Sequence, residues 1–301
     1  MRYSQWTSRA LAAVLVLGLA AACGDAPDEA PDEPEEAEMP FDVGTAGHVE
    51  GMVMYEGDPP PPEEMDMSSE PDCDAHWDVT PTRDVVKVSD GHLGDVFVYV
   101  KEGLEGMDFP TTRQAVVMDQ VGCRYTPMVI GAMTGQTVTF RNSDGLLHNV
   151  NATPTNNRPF NLSQPVNMDT DRTFTEPEVM IPVRCDVHGW MRGYVGIASH
   201  PYHVVTGEGG SFDLSDLPPG DYVIEAWHSQ LGTQEQTVTV ETGETAQVTF
   251  TFSEDMLNTA VVPLGDPIYP HRVDQADPES GHGAHEHAPA ARTLTSAPDV
   301  R

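Results

Sequence analysis

Between Glu178 and Ile197 the sequence EVMIPVRCDVHGWMRGYVGI sets a thiol, an imidazole and a thioether at even spacing, Cys185-x-x-His188-x-x-Met191. In strand geometry Val179, Ile181, Val183 and Cys185 share one face, because side chains alternate with period two, so the thiol is expected to point inward with the apolar residues. The alternation then breaks and resumes in a second strand carrying Tyr194, Val195 and Ile197, which leaves His188 and Met191 on a tight loop. Soft sulfur together with imidazole is the ligand set that selects copper, with a short Cys bond, His nitrogens and a long, weak Met contact. A second His is needed. His148 in FRNSDGLLHNVNATP can supply it, since a strand over 137–141 enters an Asn-Ser-Asp-Gly turn and returns with His148 near its start.

His148-Asn149 upstream and Cys185-x-x-His188-x-x-Met191 downstream together resemble the type 1 copper site of the cupredoxins, with a loop spacing similar to that of amicyanin, over residues 80–199. The resemblance implies a Greek-key β-sandwich and one type 1 copper ion held by His148, Cys185, His188 and Met191. It also implies backbone N–H bonds to the Cys185 sulfur, which withdraw electron density and raise the potential. In the family pattern the residue after the first His, here Asn149, gives one such bond. The second would come two residues after the Cys, where amicyanin and plastocyanin have a proline with no N–H and this chain has Val187. Pro182 is a further departure, and a bulge or an unpaired N–H is expected there. The competing reading is a buried free Cys with a His and a Met nearby by chance.

Those ligands need a scaffold, and composition points to strands. In 301 residues there are 26 Gly and 26 Pro, few aromatics and repeated short alternating runs, the pattern of an all-β protein with many turns. The formal net charge is -33, from 48 acidic against 15 basic residues. Such a surface stays solvated, repels nucleic acid and anionic headgroups, and favours cationic partners. Of the remaining cysteines, Cys73 and Cys123 could pair in an oxidising compartment or stand as two thiols. His76, close after Cys73, makes a second metal site conceivable.

Residues 1–22 carry Arg2 and Arg9 and then an apolar run too short to span a bilayer, which reads as an export signal. The run ends in Leu19-Ala20-Ala21-Ala22 before Cys23 and resembles a bacterial lipobox, implying a lipidated Cys23 that anchors the protein to a bacterial membrane, the outer one favoured. Ala20 stands where such boxes usually carry Leu, so ordinary cleavage leaving a free Cys23 is the alternative. Residues 23–45 are Pro- and acid-rich, an extended, self-repelling linker. A strand at His48 to Tyr55 follows with no nearby partner. Far downstream, GSFDLSDLPPGDYVIEAW resembles the carboxypeptidase regulatory-like domain, a small sandwich of the transthyretin type. Its ~50 residues cannot bury two sheet faces well. The family's opening strand has the form of VEGMVMYEGDPP, so the expectation is a discontinuous sandwich of 46–70 and 200–254 with a cupredoxin domain, 71–199, inserted; a continuous two-domain order is the alternative. Within the insert nine strands are expected, with Asn161, Leu162 and Ser163 in a polar loop. Residues 255–301 read as a tail in which His282, His285 and His287 could bind Cu(II) or Zn weakly or simply be solvated. His200, His203 and His228 flank the domain junction.

The resulting expectation is an exported one-electron carrier, not an enzyme, whose partner is a cytochrome or oxidoreductase. The alternative is copper storage or sensing, or a carbohydrate- or protein-binding module in which copper is not a redox carrier. Multicopper oxidases need His-x-His pairs within folded domains, and the His-x-His of this chain is His285-Glu-His287 in the tail.

Overall fold

The computed structural model describes residues 38–257, and almost all of its regular structure is strand. In the strand Gly47–Glu56, Val49, Val53 and Tyr55 alternate onto one buried face. That strand finds its main partners more than 150 residues away: it pairs antiparallel with Ser211–Leu217 and parallel with Thr245–Ser253. Gly51 is the point of closest approach. It faces Phe212 on one side and Val248 on the other, and a Cβ there would lie 2.1 Å from the Val248 carbonyl oxygen and 2.3 Å from the Phe212 ring. A second sheet orders His203–Val205, Phe97–Glu102, Gly220–His228 and Gly232–Val240. The two sheets enclose a first core that includes Val49, Val53, Val98, Val100, Ile224, Phe250 and Phe252.

Residues 92–102 are therefore hydrogen-bonded into this first pair of sheets, through His92 to Met54 and through Phe97–Glu102 to Gly220–His228. A domain boundary at residue 71 does not follow that pairing. The run FVYVKE is apolar on both faces at its start, and such a pattern specifies a covered strand without saying which neighbour covers it.

The second core lies between the sheet ordered Met168–Thr173, Thr137–Asn142, Val116–Gln120, Tyr125–Thr126 and the sheet ordered Phe160–Gln164, His148–Ala152, Glu178–Arg184, Arg192–Ala198, Val129–Met133. Its centre includes Phe140, Val150, Ile181, Val183, Cys185 and Ile197. Residues 161–163 are not a loop but part of the strand Phe160–Gln164, paired along its length with His148–Ala152. Only Phe160 and Leu162 mark its inner face, too short an alternation to stand out from a polar turn. A third cluster of Phe97, Val129, Met180, Tyr194 and Trp227 joins the two cores. The fold is all-β, as composition implies.

Candidate metal centre

Glu178–Arg184 and Arg192–Ala198 are antiparallel neighbours, and residues 185–191 are the loop between them. Pro182 stays in register opposite Tyr194; the irregularity in this ladder falls earlier, between Glu178 and Ile181. The loop is closed on itself, with the Cys185 N–H donating to the Met191 carbonyl at 3.2 Å and the Met191 N–H to the His188 carbonyl at 2.9 Å. Cys185 and Met191 face the second core and are almost fully buried. His148 opens the adjoining strand His148–Ala152, which pairs with Glu178–Arg184, and so enters the same interior.

There the side chains converge. His148 Nδ1 lies 2.9 Å from His188 Nδ1, and the Cys185 Sγ lies 3.7 Å from His188 Nδ1. The ligand atoms of His148, Cys185 and His188 all fall within 4.8 Å of one another. Burial alone would push the Cys185 thiol up, but hydrogen bonds from His148 and His188 and from the N–H groups of His188 and Val187 outweigh it and hold the thiol down to about 6. Burial likewise pulls His148 down, yet Asp144 and Cys185 together leave it raised. A sulfur that is readily a thiolate, facing two imidazole nitrogens and buried with them, is a donor set that fits copper.

The N–H groups of His188 and Val187 rank after the two imidazoles among the groups that lower the Cys185 thiol, and the sulfur contact whose distance is resolved is the one to His188 Nδ1. For Asn149 the contact seen is made by the side chain: its Oδ1 accepts the Asp186 N–H at 2.9 Å and its Nδ2 donates to Asn161. Asp186 in turn accepts from Asn151 and Asn161, which fastens the start of the loop to the two neighbouring strands. Sequence reasoning did not single out Asp144, Asp186 or Trp190. The signal available for Asp144 was its place four residues before His148 at the end of a turn, and for Trp190 its place between two candidate ligands.

Cys73, on the short helix Pro71–Asp74, is disulfide-bonded to Cys123. His76 Nε2 lies 4.0 Å from Asp144 Oδ1 but brings no second thiolate with it. Among the described residues a second close group is Cys123, Asp144 and His148, and its cysteine is the one in the disulfide. His200, His203 and His228 do not form a ligand group. Cys23, the signal segment, most of the acidic linker and His282, His285 and His287 lie outside the described residues.

Residues 195–253 match the family model of the carboxypeptidase regulatory-like domain. Solved structures give weak, partial similarity to copper proteins. A Cu-containing nitrite reductase from Thermus scotoductus is 22% identical with a TM-score of 0.27, the match covering 30% of this chain and 24% of that one. A mutant of amicyanin in the Cu(I) form is 25% identical with a TM-score of 0.26, covering 28% of this chain and 82% of that one. A purple cupredoxin from Nitrosopumilus maritimus is 21% identical with a TM-score of 0.24, covering 28% and 98% respectively. No curated protein matches the chain.

Proposed function

We propose that this chain is an exported copper protein of the cupredoxin kind, in which His148, Cys185, His188 and Met191 hold one type 1 copper ion and the protein carries single electrons without catalysing a reaction. The observation that supports it most is the buried convergence of His148 Nδ1, His188 Nδ1 and Cys185 Sγ. Bound copper would supply the one-electron couple. The chain supplies the rest. Cys185, with its thiol held down to about 6, offers a thiolate at neutral pH without a separate base. The N–H groups of Val187 and His188, which help to hold that thiol down, would draw density from the sulfur and favour the reduced metal. The two strands flanking the loop and its internal hydrogen bonds fix the donors, so that neither oxidation state rearranges them much. In the same reading Gly47–Glu56 completes the regulatory-like sandwich, Cys23 anchors the protein to a membrane, and the acidic linker gives it reach toward a cytochrome or oxidoreductase.

Two measurements test this. Cu(II) added to the full chain should give an intense thiolate-to-copper absorption and a fast, reversible one-electron wave; copper bound without that absorption rules out the assigned site, and copper released on each reduction favours storage. Mass spectrometry of the membrane-extracted protein should find a diacylglyceryl-modified N-terminal Cys23, and a wholly soluble, unmodified product rules out the anchor.

A further inference from the structure

Asp144 sits in the turn before His148 with its side chain only 3% exposed. Its Oδ2 lies 2.8 Å from His148 Nε2. The same carboxylate accepts the Gly122 N–H on Oδ1 and the Cys123 N–H on Oδ2, each at 2.8 Å, while its own backbone N–H donates to Asn142 Oδ1 at 3.0 Å. Buried carboxylates persist where donors surround them. A carboxylate only accepts, so the ring nitrogen facing it must carry the proton. With the proton on Nε2, the lone pair of Nδ1 is the one turned toward His188.

The donors around Asp144 have an unusual backbone. Gly122 and Cys123 have φ of +60° and +57°, and for Cys123, which has a Cβ, that left-handed region is disfavoured. Two successive N–H groups in such a turn make a small anion-binding concavity. The two residues form the tight turn between Val116–Gln120 and Tyr125–Thr126, closed by the Val121 N–H on the Arg124 carbonyl at 3.0 Å, and Cys123 is tied in addition to Cys73. The Cys123 carbonyl also accepts the Trp190 indole N–H at 2.9 Å, and that indole lies against the His188 ring with centroids 5.3 Å apart. One cystine therefore reaches both imidazoles, one through a carboxylate and one through an indole.

We infer that Asp144 is the positioning residue of the centre, fixing His148 as its Nε2–H tautomer with Nδ1 free to bind, and that the Cys73–Cys123 disulfide keeps Asp144 and Trp190 where they orient the two histidines. This rests on reading His148 and His188 as metal ligands, but its first readout needs no metal. In the full-length protein before copper is added, nitrogen NMR of the histidine rings should find His148 as a single Nε2–H tautomer. Asp144→Ala should mix the two tautomers, weaken copper binding 10- to 100-fold, the usual cost of losing such an outer partner, and shift the potential upward as the ring becomes a poorer donor. Asp144→Asn, which keeps an acceptor oxygen but loses the charge, should fall between, and it decides the matter by the same readouts if the alanine variant does not fold. Cys73→Ser with Cys123→Ser should reproduce the tautomer mixing in a protein that retains its strand content. An Asp144→Ala protein whose His148 keeps a single Nε2–H tautomer overturns the role of Asp144. A folded double-serine protein with an unchanged tautomer overturns the role of the disulfide. Failure of the wild type to bind copper at all would count against the metal reading and leave the tautomer result standing.

Discussion

His148 and His188 in the second core and His200 and His228 in the first are all buried, yet their surroundings differ in kind. His228 is pushed down to about 4 by burial, and its Nδ1 accepts a backbone N–H from Gln230 at 3.2 Å. His200 is also lowered by burial, its Nε2 set 2.8 Å from the Val100 carbonyl. Both are neutral rings meeting neutral backbone. His148 faces a carboxylate on one nitrogen and an imidazole on the other, with a sulfur close by, and is raised although it too is buried. Burial by itself makes a histidine a packing element. Anions and a second imidazole converging on it make a site.

The sharpest way to break that contrast is to exchange the histidines. Cys185→Ser or His188→Leu is expected to abolish the thiolate-to-copper absorption outright, whereas His228→Leu should leave it intact; a His228 variant that loses the absorption as well would erase the distinction between the two cores.

Next in size is Gly51→Ala, where the added Cβ meets the Val248 carbonyl and the Phe212 ring. Overpacking of this kind costs about 1–3 kcal/mol or more. Hydrogen exchange should rise across 211–228 while copper absorption is unaffected. Equal loosening around Cys185 would show that the cores do not respond separately.

A smaller effect should appear in the metal-free protein as pH changes. The Cys185 thiol, ordinarily near 9.0, is held down to about 6 once burial is outweighed by its hydrogen-bond donors, so between those values the unfolded chain binds more protons than the folded one. The contribution of this group to stability is then fully present above pH about 9, declines as pH falls and is lost below about 6. Thiolate absorbance should titrate near 6, and Cys185→Ser should remove that part of the rise in stability from pH 6 to 9; a thiol titrating in its ordinary range would contradict the hydrogen-bonded arrangement.

The least change is expected from Val187→Pro. Removing one N–H from the sulfur should lower the potential while colour persists, and a potential that stays put or rises would mean that the Val187 bond does not tune the metal.

The convergence of Cys185 and His188 was legible because the thiol ends an apolar run and the next two donor residues follow at even spacing, although the strand itself is irregular between Glu178 and Ile181. The long-range partner of VEGMVMYE was readable because an amphipathic strand with no neighbour must bury its face somewhere. Other features were not. Phe97–Glu102 is covered on both sides, so its pattern carried no preference between the two sandwiches. Asp144 looked like one turn acid among 48 acidic residues, and only the backbone of Gly122 and Cys123, brought against it by the fold, distinguishes it. Asn149 was assigned a main-chain bond by analogy, and its side-chain contacts depend on the strand Phe160–Gln164, which its short alternation concealed.

The pairing of Phe97–Glu102 with His203–Val205, Tyr99 opposite His203, bears on how the chain assembles. The long excursion from residue 103 to 202 leaves and returns at adjacent, hydrogen-bonded strands, so once the second core has formed its two ends are already close together. Closing a disordered loop of that length costs entropy that grows as the logarithm of its length, but a folded excursion with neighbouring ends presents the rest of the chain with only a short gap. Gly47–Glu56, made first and matched last, can then meet Ser211–Leu217 and Thr245–Ser253 as if they were near in sequence. The excursion nevertheless leaves its two ends in the first core: the Val100 N–H donates to the Tyr202 carbonyl at 3.1 Å, His200 Nε2 lies 2.8 Å from the Val100 carbonyl, and Leu104 and Tyr202 are buried there, so a shorter connection would have to run from Leu104 to His200 to leave these partners in place.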